Sequence, residues 1–392
     1  MLTYDYLIIG GGMTADAAVR GIRELDADGT IGVVSAEPDP PYNRPPLTKA
    51  LWKGDSLETI WRKTGDAGVD LHLGRMVTSL DLPKKTAIDD HGAAHSFEQL
   101  LLATGASPRR LPFGGDDVIY YRTLQDYHRV RAIANKSGAV VVLGGGFIGS
   151  EIAAALAMNG CKVTMLFPEA GIGARIFPAD LARNLVKYYR DKEVDVRPGE
   201  EVVDIQKTDA GMTVTTKSGA KLNADAVIAG IGVAANTDLA KAAGLAVEDG
   251  IIVDEHLVTS LHGVYAAGDV ARFSSPVLGK RMRVEHEDNA LTMGHAAGRA
   301  MAGDKDPYTH LPFFYSDLFE LGYEAVGETD PRLDVVADWK TRFREGVVYY
   351  LSGGRVRGVL LWGIFGQVDA ARALIAEVGA FDAKTLKGRI SG

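Results

Sequence analysis

Residues 140–149 read Val140-Val141-Val142-Leu143-Gly144-Gly145-Gly146-Phe147-Ile148-Gly149, an apolar run that passes into a glycine-rich turn. The apolar run predicts a buried strand, and the glycines predict a sharp turn into a helix. Gly144 makes the turn, Gly146 lets backbone N–H groups approach a phosphate, and Gly149 lets the helix pack closely on the strand. The stretch therefore predicts that a dinucleotide pyrophosphate binds at the N-terminus of this helix.

The same pattern occurs a second time near the start of the chain. The strand-like Tyr6-Leu7-Ile8-Ile9 is followed by Gly10, Gly12 and Ala15, and Ala is the tolerated variant at the third position. Each copy continues into an Ala-rich stretch and a second apolar strand, Ile31-Gly32-Val33-Val34 or Lys162-Val163-Thr164-Met165-Leu166. One such match alone is a weak signal, but two in the same context predict an α/β fold with two Rossmann-like dinucleotide-binding domains.

An acidic residue after the second strand of each unit is expected to bind a ribose. Glu37 occupies this place in the first unit. In the second unit Phe167 stands in the usual acidic place, and Glu169 follows two residues later. Glu169 favours NADH, whereas Arg175 nearby is suited to the 2′-phosphate of NADPH, so the sequence predicts NADH while NADPH stays open.

Composition excludes several classes of function. With 392 residues, 46% hydrophobic and 24% charged, the chain has the composition of a globular protein of two or three domains. Its formal net charge of -8 argues against nucleic-acid and membrane-surface binding. A single cysteine excludes an intramolecular disulfide and favours a reducing compartment. No membrane-length apolar stretch or leader-like prelude is seen, so we expect a cytoplasmic location, and no metal site is predicted.

Three further buried strands are predicted at Leu100–Ala103, Ala226–Ala229 and Gly263–Ala267. From about Pro307 the sequence becomes aromatic and alternating. There Val347–Leu351 and Val356–Trp362 predict a β-hairpin, and an Ala-rich helix is expected to start near Asp369.

Several motifs are now recognisable along the whole chain. They are Pro41-Tyr42-Asn43-Arg44-Pro45-Pro46-Leu47-Thr48-Lys49, Ala103-Thr104-Gly105-Ala106, Tyr265-Ala266-Ala267-Gly268-Asp269-Val270, Leu166-Phe167-Pro168-Glu169, Val284-Glu285-His286, Tyr315-Ser316-Asp317-Leu318 and Trp362-Gly363-Ile364-Phe365. With them the chain resembles the FAD-dependent pyridine-nucleotide oxidoreductases related to glutathione reductase. Within that family it is similar to the ferredoxin/rubredoxin reductase branch, with details that lean toward apoptosis-inducing factor.

The resemblance implies three domains. A split FAD-binding domain would comprise residues 1–113 and 238–306, an NAD(H)-binding domain residues 114–237, and a C-terminal α+β domain residues 307–392. The implied FAD contacts are Gly10, Gly12, Ala15, Glu37, Arg44, Lys49, Ala103, Thr104, Gly105, Asp269, Glu285, His286 and Tyr315. The implied NAD(H) contacts are Gly144, Gly146, Phe147, Ile148, Gly149, Glu151, Glu169 and Gly232.

Lys49 and Glu151 are the catalytic pair that the resemblance implies, with Lys49 approaching flavin N5 and Glu151 as its partner. Physical reasoning agrees, because a buried ammonium needs an anion. The alternatives are a solvated Lys49 and a Glu151 that only complements its helix dipole. His286 is either a flavin neighbour or a packed, hydrogen-bonded ring, and Tyr315 either covers the reacting rings or belongs to the core.

The absence of a redox-active cysteine pair bears on which electron acceptor the protein uses. Disulfide reductases of this family carry a Cys-x4-Cys pair after the first glycine motif, whereas residues 40–49 hold no cysteine and Cys161 is expected to be a buried small hydrophobe. Electrons would then leave directly for an outside acceptor. A small acidic ferredoxin or rubredoxin is the predicted partner of a monomer or homodimer. A local basic face for it is expected from Arg109-Arg110, Arg272 and the run Lys280–Arg283.

Two other functions remain open. One is a redox-responsive binding protein similar to apoptosis-inducing factor, with slow NADH oxidation. The other is a reductase that uses quinone or oxygen directly.

Overall fold

The computed structural model describes residues 1–209 and 211–390. The strands are β1 Leu2–Ile9, β2 Ile31–Val34, β3 Asp70–His72, β4 Val77–Asp81, β5 Thr86–Asp89, β6 Ala94–Leu102, β7 Ala106–Pro108, β8 Ile119–Tyr120, β9 Ala139–Leu143, β10 Lys162–Phe167, β11 Asp195–Pro198, β12 Val202–Thr208, β13 Gly211–Thr216, β14 Lys221–Ala224, β15 Ala226–Ala229, β16 Val233–Ala235, β17 Val247–Glu248, β18 Gly250–Ile252, β19 Val264–Ala266, β20 Ala271–Ser275, β21 Lys280–Met282, β22 Phe313–Leu318, β23 Leu321–Gly327, β24 Asp334–Thr341, β25 Glu345–Ser352 and β26 Arg355–Trp362. The α-helices are α1 Met13–Leu25, α2 Leu124–Ala134, α3 Phe147–Met158, α4 Ala179–Asp191, α5 Asp238–Ala242, α6 Glu287–Met301, α7 Val368–Ala376 and α8 Ala383–Leu386.

The chain divides into two compact units. The first comprises residues 1–44, 56–107 and 234–312, and the second residues 45–55, 108–233 and 313–392. The predicted division into three domains, with boundaries near residues 113, 238 and 306, stays a prediction.

The first unit is built on a sheet with the strand order β3-β2-β1-β6-β5-β4, and β19 pairs with β6. β1 runs parallel to β2 and β6, so the carboxyl ends of these buried strands lie at one edge. Helices α1 and α6 pack closely against each other because glycines stand at their contact. A Cβ added to Gly298 would lie 2.0 Å from the carbonyl oxygen of Ala18.

The second unit contains a parallel sheet of order β11-β10-β9-β15-β8 and an antiparallel sheet of order β22-β23-β26-β25-β24. β9 and β10 pair in parallel from Lys162↔Ala139 onward, as the repeated motif predicts. The predicted hairpin is confirmed by the antiparallel pairing of β25 with β26. The hairpin carries large side chains that are buried on both faces of the sheet: Tyr349, Tyr350 and Trp362 are all fully buried.

The segment of residues 45–55 belongs to the second unit although the residues on both sides of it belong to the first. It forms two short 3₁₀ turns, Pro45–Thr48 and Ala50–Trp52. The carbonyl oxygen of Leu47 accepts hydrogen bonds from the Tyr121 hydroxyl and, at 2.7 Å, from the Trp52 indole N–H. Asn159 Nδ2 donates to the Trp52 carbonyl oxygen at 3.2 Å. These bonds fix the position of the residues that follow the Pro45-Pro46 turn.

Candidate functional site

The glycine turn of the first unit has the geometry that a pyrophosphate requires. Gly10 has φ +120° and no room for a side chain, because a Cβ there would lie 2.0 Å from the Ala103 carbonyl oxygen. A Cβ added to Gly12 would meet nothing within 4 Å. α1 begins immediately after Gly12, and no side chain caps it there. An open space at an uncapped helix N-terminus suits a phosphate, so these residues fit the diphosphate of FAD.

Glu37 lies just beyond β2 and is held by two neighbours. Tyr42 Oη donates to Glu37 Oε2 at 2.6 Å, and the Arg44 guanidinium forms an ion pair with Glu37 Oε1. Burial opposes the charge of Arg44, but the nearby carboxylates of Glu37 and Asp269 raise its pKa. Arg44 and Asp269 are therefore near each other, while Tyr42 is a site neighbour that the sequence reasoning missed although it lies within the quoted motif.

Thr104 and Gly105 form the other side of this turn. Thr104 Oγ1 donates to the Asn236 carbonyl oxygen at 2.8 Å, and Asn236 Nδ2 donates back to the Thr104 carbonyl oxygen at 2.8 Å. The Asn236 N–H donates to the Gly105 carbonyl oxygen at 2.9 Å. The Thr104 hydroxyl thus stabilises the local fold. Thr104 and Gly105 would therefore contact a ligand through their backbone groups.

Arg283 joins two predicted FAD contacts. Its guanidinium donates to Glu285 Oε1 at 2.5 Å and to the Asp269 carbonyl oxygen at 3.1 Å, and it also pairs with Asp249. Its side chain is 9% exposed. This corrects the expectation that the whole run Lys280–Arg283 forms a basic surface, because Arg283 points inward and is neutralised by carboxylates.

His286 precedes α6 and is half-buried. Desolvation by the surrounding protein lowers the pKa of His286 to about 4, while the nearby charges of Asp269 and Asp288 act in the opposite direction. The imidazole is therefore neutral at pH 7 and offers one donor and one acceptor nitrogen.

The second unit repeats the turn with all three glycines. Gly144 has φ +107°, and a Cβ there would lie 2.3 Å from the Gly230 carbonyl oxygen. A Cβ on Gly149 would lie 2.0 Å from the Gly144 carbonyl oxygen, whereas one on Gly146 would meet nothing within 4 Å. α3 begins after Gly146 without a side-chain cap. The turn fits a second pyrophosphate, that of NAD(H).

The ribose end of this second turn departs from the usual arrangement. Phe167 ends β10 and is buried, with its ring 3.0 Å from a Cβ added to Gly145. Glu169 Oε1 instead accepts from Arg175 Nη2 at 2.8 Å and Nε at 3.0 Å. Glu169, which would select NADH, is thus paired with Arg175, which would bind the 2′-phosphate of NADPH.

Three other predicted NAD(H) contacts lie in the same unit. Phe147 and Ile148 are half-buried at the start of α3, and the Phe147 ring makes an edge contact with Phe314 at 5.2 Å. Gly232 is exposed and has φ +96°, a conformation that favours glycine.

Glu151 is the centre of a buried polar network. It is 5% exposed, and three side chains donate to its carboxylate at 2.5 Å each. Lys49 Nζ and Ser316 Oγ bind Oε1, and Thr48 Oγ1 binds Oε2. The Lys49 side chain is 12% exposed, which rules out a fully solvated charge. The structure therefore places Lys49 and Glu151 together, as the resemblance implies, whereas their catalytic role stays a prediction.

Sequence reasoning missed Thr48 and Ser316, although each adjoins a residue that it named. Alternation along β22 was the available signal: Ser316 is buried while Tyr315 on the opposite face is 36% exposed. Lys49 Nζ lies 5.2 Å from the centre of the Tyr315 ring. The exposed fraction of Tyr315 excludes its being a plain core residue.

Cys161 is 9% exposed, and burial raises the pKa of its thiol, so it is the inert small hydrophobe that was expected. Within residues 1–209 and 211–390 there is no group of three or more His, Cys, Asp or Glu side chains arranged to hold a metal ion. Over the same residues, every helix is too short or too polar to cross a membrane.

Comparison with known proteins agrees with this geometry. A model of the pyridine nucleotide-disulphide oxidoreductases matches residues 4–294, and a model of the C-terminal part of mitochondrion-associated apoptosis-inducing factor matches residues 297–342. The mitochondrial apoptosis-inducing factor 1 of Dictyostelium discoideum is 33% identical over 417 residues, which cover 95% of this chain and 78% of that protein. Monodehydroascorbate reductase 3 of Arabidopsis thaliana is 33% identical over 408 residues, which cover 95% of this chain and 92% of that protein.

Among solved structures, the covalent putidaredoxin reductase–putidaredoxin complex matches with a TM-score of 0.89 and 30% identity, covering 96% of this chain and 94% of that one. The α/β fold with two dinucleotide-binding domains and a C-terminal domain is therefore confirmed. The chain belongs to the pyridine nucleotide-disulphide oxidoreductase family, as an FAD- and NAD(H)-dependent oxidoreductase of the ferredoxin reductase branch.

Proposed function

We propose that this protein oxidises NADH and passes the electrons directly to a small iron–sulfur protein. The observation that carries the proposal is that the only cysteine of the chain, Cys161, is buried. The chain has no second thiol with which to form an internal redox disulfide, so an external acceptor must take the electrons. Bound FAD would supply the chemistry, accepting hydride and donating single electrons.

The two glycine turns divide the binding between the two units. In the first unit the uncapped α1 N-terminus after Gly12 holds the FAD diphosphate, and Arg44 contributes a positive charge. In the second unit the α3 N-terminus after Gly146 holds the NADH diphosphate, and the Glu169 carboxylate accepts hydrogen bonds from the ribose hydroxyls. Both helix ends supply backbone N–H donors without a side chain that would compete for them.

Lys49 and Glu151 act on the hydride-transfer step. Lys49 holds a fixed positive charge that favours the arrival of negative charge on the acceptor ring. Glu151 orients the ammonium, and the hydroxyls of Thr48 and Ser316 occupy two further acceptor positions on the carboxylate. Since three donors fix this carboxylate, Glu151 acts by positioning Lys49.

The iron–sulfur acceptor is supported by the likeness to the reductase that was solved in complex with putidaredoxin. Steady-state NADH oxidation with equal concentrations of a [2Fe–2S] ferredoxin, a rubredoxin, a quinone and the monodehydroascorbate radical would test it. We expect turnover with an iron–sulfur protein to exceed turnover with every other acceptor at least tenfold. Comparable rates with the quinone or with the organic radical would contradict the proposal.

A second candidate function is a redox-responsive binding protein. It is favoured by the match to the C-terminal part of apoptosis-inducing factor over residues 297–342. On this account NADH changes the association of the chain with a second copy of itself, and turnover is slow with every acceptor. Size-exclusion chromatography with and without NADH separates the two, because only the binding protein should change its oligomeric state.

A further inference from the structure

The exposed side of α4 is strongly basic. Arg183 and Lys187 lie one turn apart on this helix and are exposed, and Lys192 follows at its end. The turn that joins β24 to β25 adds Arg342 and Arg344, which are exposed. We call these five residues the α4 basic face.

Two contacts hold the turn against the helix, so the five cations form one surface. Arg342 Nη2 donates to Asp180 Oδ2 in the first turn of α4 at 3.0 Å. The Arg344 guanidinium lies 5.4 Å from the centre of the Tyr188 ring, near the other end of α4.

Carboxylates neutralise this face only in part. Asp180 pairs with Arg342, and Glu320 pairs with Lys192 at 2.5 Å. Over the described part of the chain, Arg183, Lys187 and Arg344 have no carboxylate partner. When the adjoining residues are counted as well, Arg190 and Lys340 bring the cations to seven, and Asp191, Glu193 and Glu345 bring the carboxylates to five. The face therefore keeps an excess of cations in a chain whose formal net charge is -8. The positive charge is therefore local, and its sign is opposite to that of the whole protein.

Aromatic rings connect this face with the buried network around Glu151. Lys192 Nζ lies 5.7 Å from the Tyr188 ring centre, and the Tyr188 ring contacts Phe319 at 5.9 Å. Phe319 in turn contacts Tyr189 at 5.0 Å, and Tyr189 Oη donates to the Ser150 carbonyl oxygen at 3.0 Å. Ser150 precedes Glu151, whose negative charge contributes to raising the pKa of Tyr189, after the larger effect of burial.

We propose that the α4 basic face is the docking surface for the acidic electron-transfer protein, an inference that rests on the proposed function. A small protein with clustered Asp and Glu side chains complements five cations that project from one helix and one turn. Tyr188 itself is buried, so the cations around it supply the surface that such a partner would contact. The run Lys280–Arg283 offers less, since Arg283 is already bound to carboxylates.

The test compares two charge reversals of equal size. The first variant is R183E/K187E on the face, and the matched control is K280E/R281E on the first unit. The probe is a plant-type [2Fe–2S] ferredoxin with a net negative charge. Its Kd is measured by calorimetry at about 50 mM and 300 mM salt, beside its rate of reduction by NADH. Ferricyanide reduction and thermal melting show whether each variant is folded and carries out hydride transfer.

We expect R183E/K187E to raise the Kd at low salt at least tenfold and to weaken its dependence on salt, while K280E/R281E changes the Kd less than twofold. Ferricyanide reduction should stay within twofold of the wild-type rate in both. An equal or larger effect in the control would overturn the docking surface but leave the proposed function intact. Failure of the wild-type protein to reduce any acidic ferredoxin, with ferricyanide reduction intact, would overturn both. Equally tight binding of a DNA duplex, abolished by the same reversal, would assign the face to nucleic acid and overturn the proposal.

Discussion

Neutralising either residue of the Lys49–Glu151 pair alone should cost about as much stability as neutralising both residues together. Glu151 is 5% exposed and the Lys49 side chain 12% exposed, so each single change leaves a buried charge without its counter-ion. We expect Lys49→Met and Glu151→Gln each to lower the free energy of unfolding by about 3 kcal/mol. The double variant removes both charges and should cost no more than either single one, a coupling of about 3 kcal/mol.

The assay is a double-mutant cycle by urea unfolding of the FAD-loaded protein, with stopped-flow reduction by NADH on the same four proteins. Lys53→Met is the matched control, because Lys53 pairs with Asp317 at 3.1 Å while the two side chains are 49% and 38% exposed. That change should cost less than about 1 kcal/mol. Both single variants of the pair should slow hydride transfer about 100-fold, as removal of a preorganised charge does. Additive losses within about 0.5 kcal/mol, or wild-type reduction rates, would refute the reasoning.

Three further predictions concern the cofactor turns and His286. Gly12→Val should abolish FAD binding and leave the fold intact, because an added Cβ meets nothing within 4 Å. Gly10→Ala should instead destabilise the fold, because its Cβ would lie 2.0 Å from the Ala103 carbonyl oxygen. Flavin absorbance reports FAD binding and circular dichroism reports the fold, so the two measurements separate the two effects. Arg175→Ala should weaken NADPH binding and leave the affinity for NADH within about twofold, as measured by fluorescence titration. Loss of NADH binding together with NADPH binding would show that Arg175 only fixes Glu169. The folded-state pKa of His286, about 4, lies below the ordinary value of 6.5, so the unfolded chain binds a proton that the folded chain rejects. The contribution of His286 to the free energy of unfolding is therefore fully present above pH 6.5 and is lost as the pH falls towards 4. The free energy of unfolding should fall by about 2 kcal/mol between pH 7 and pH 5 for this reason. Urea unfolding of His286→Gln should show a smaller acid loss than wild type, and an equal loss would contradict the pKa argument.

The regular elements were readily predicted because their patterns are local. β2 has the predicted bounds Ile31–Val34, and β15 has the predicted bounds Ala226–Ala229. β1 begins earlier than predicted, at Leu2, because pairing with β6 starts at Leu2↔His95 and adds residues that an apolar run alone does not mark. The glycine turns were predicted for the same local reason, since each needs a positive φ or a close backbone approach.

Contacts between residues far apart in sequence were the harder part. Nothing in the order of residues shows that Ser316 and Thr48 donate to Glu151, which lies 165 and 103 positions away from them. The resemblance supplied the Lys49–Glu151 pairing but not these hydroxyls. The inward turn of Arg283 was missed for a related reason, because its carboxylate partner Asp249 lies 34 residues away. A run of basic residues indicates charge but not the direction in which each side chain points.

The central claim, direct electron delivery to a small iron–sulfur protein, is tested most directly by reoxidation after a single reduction. The protein is reduced anaerobically with one equivalent of NADH and mixed in a stopped-flow instrument with an acidic [2Fe–2S] ferredoxin or with air-saturated buffer. We expect reoxidation by the ferredoxin to be at least tenfold faster than by oxygen and to slow as salt rises, because charge steering is screened over about 8 Å at physiological ionic strength. A reduced protein that persists in the presence of every ferredoxin tried, together with a change of oligomeric state on reduction, would contradict the account.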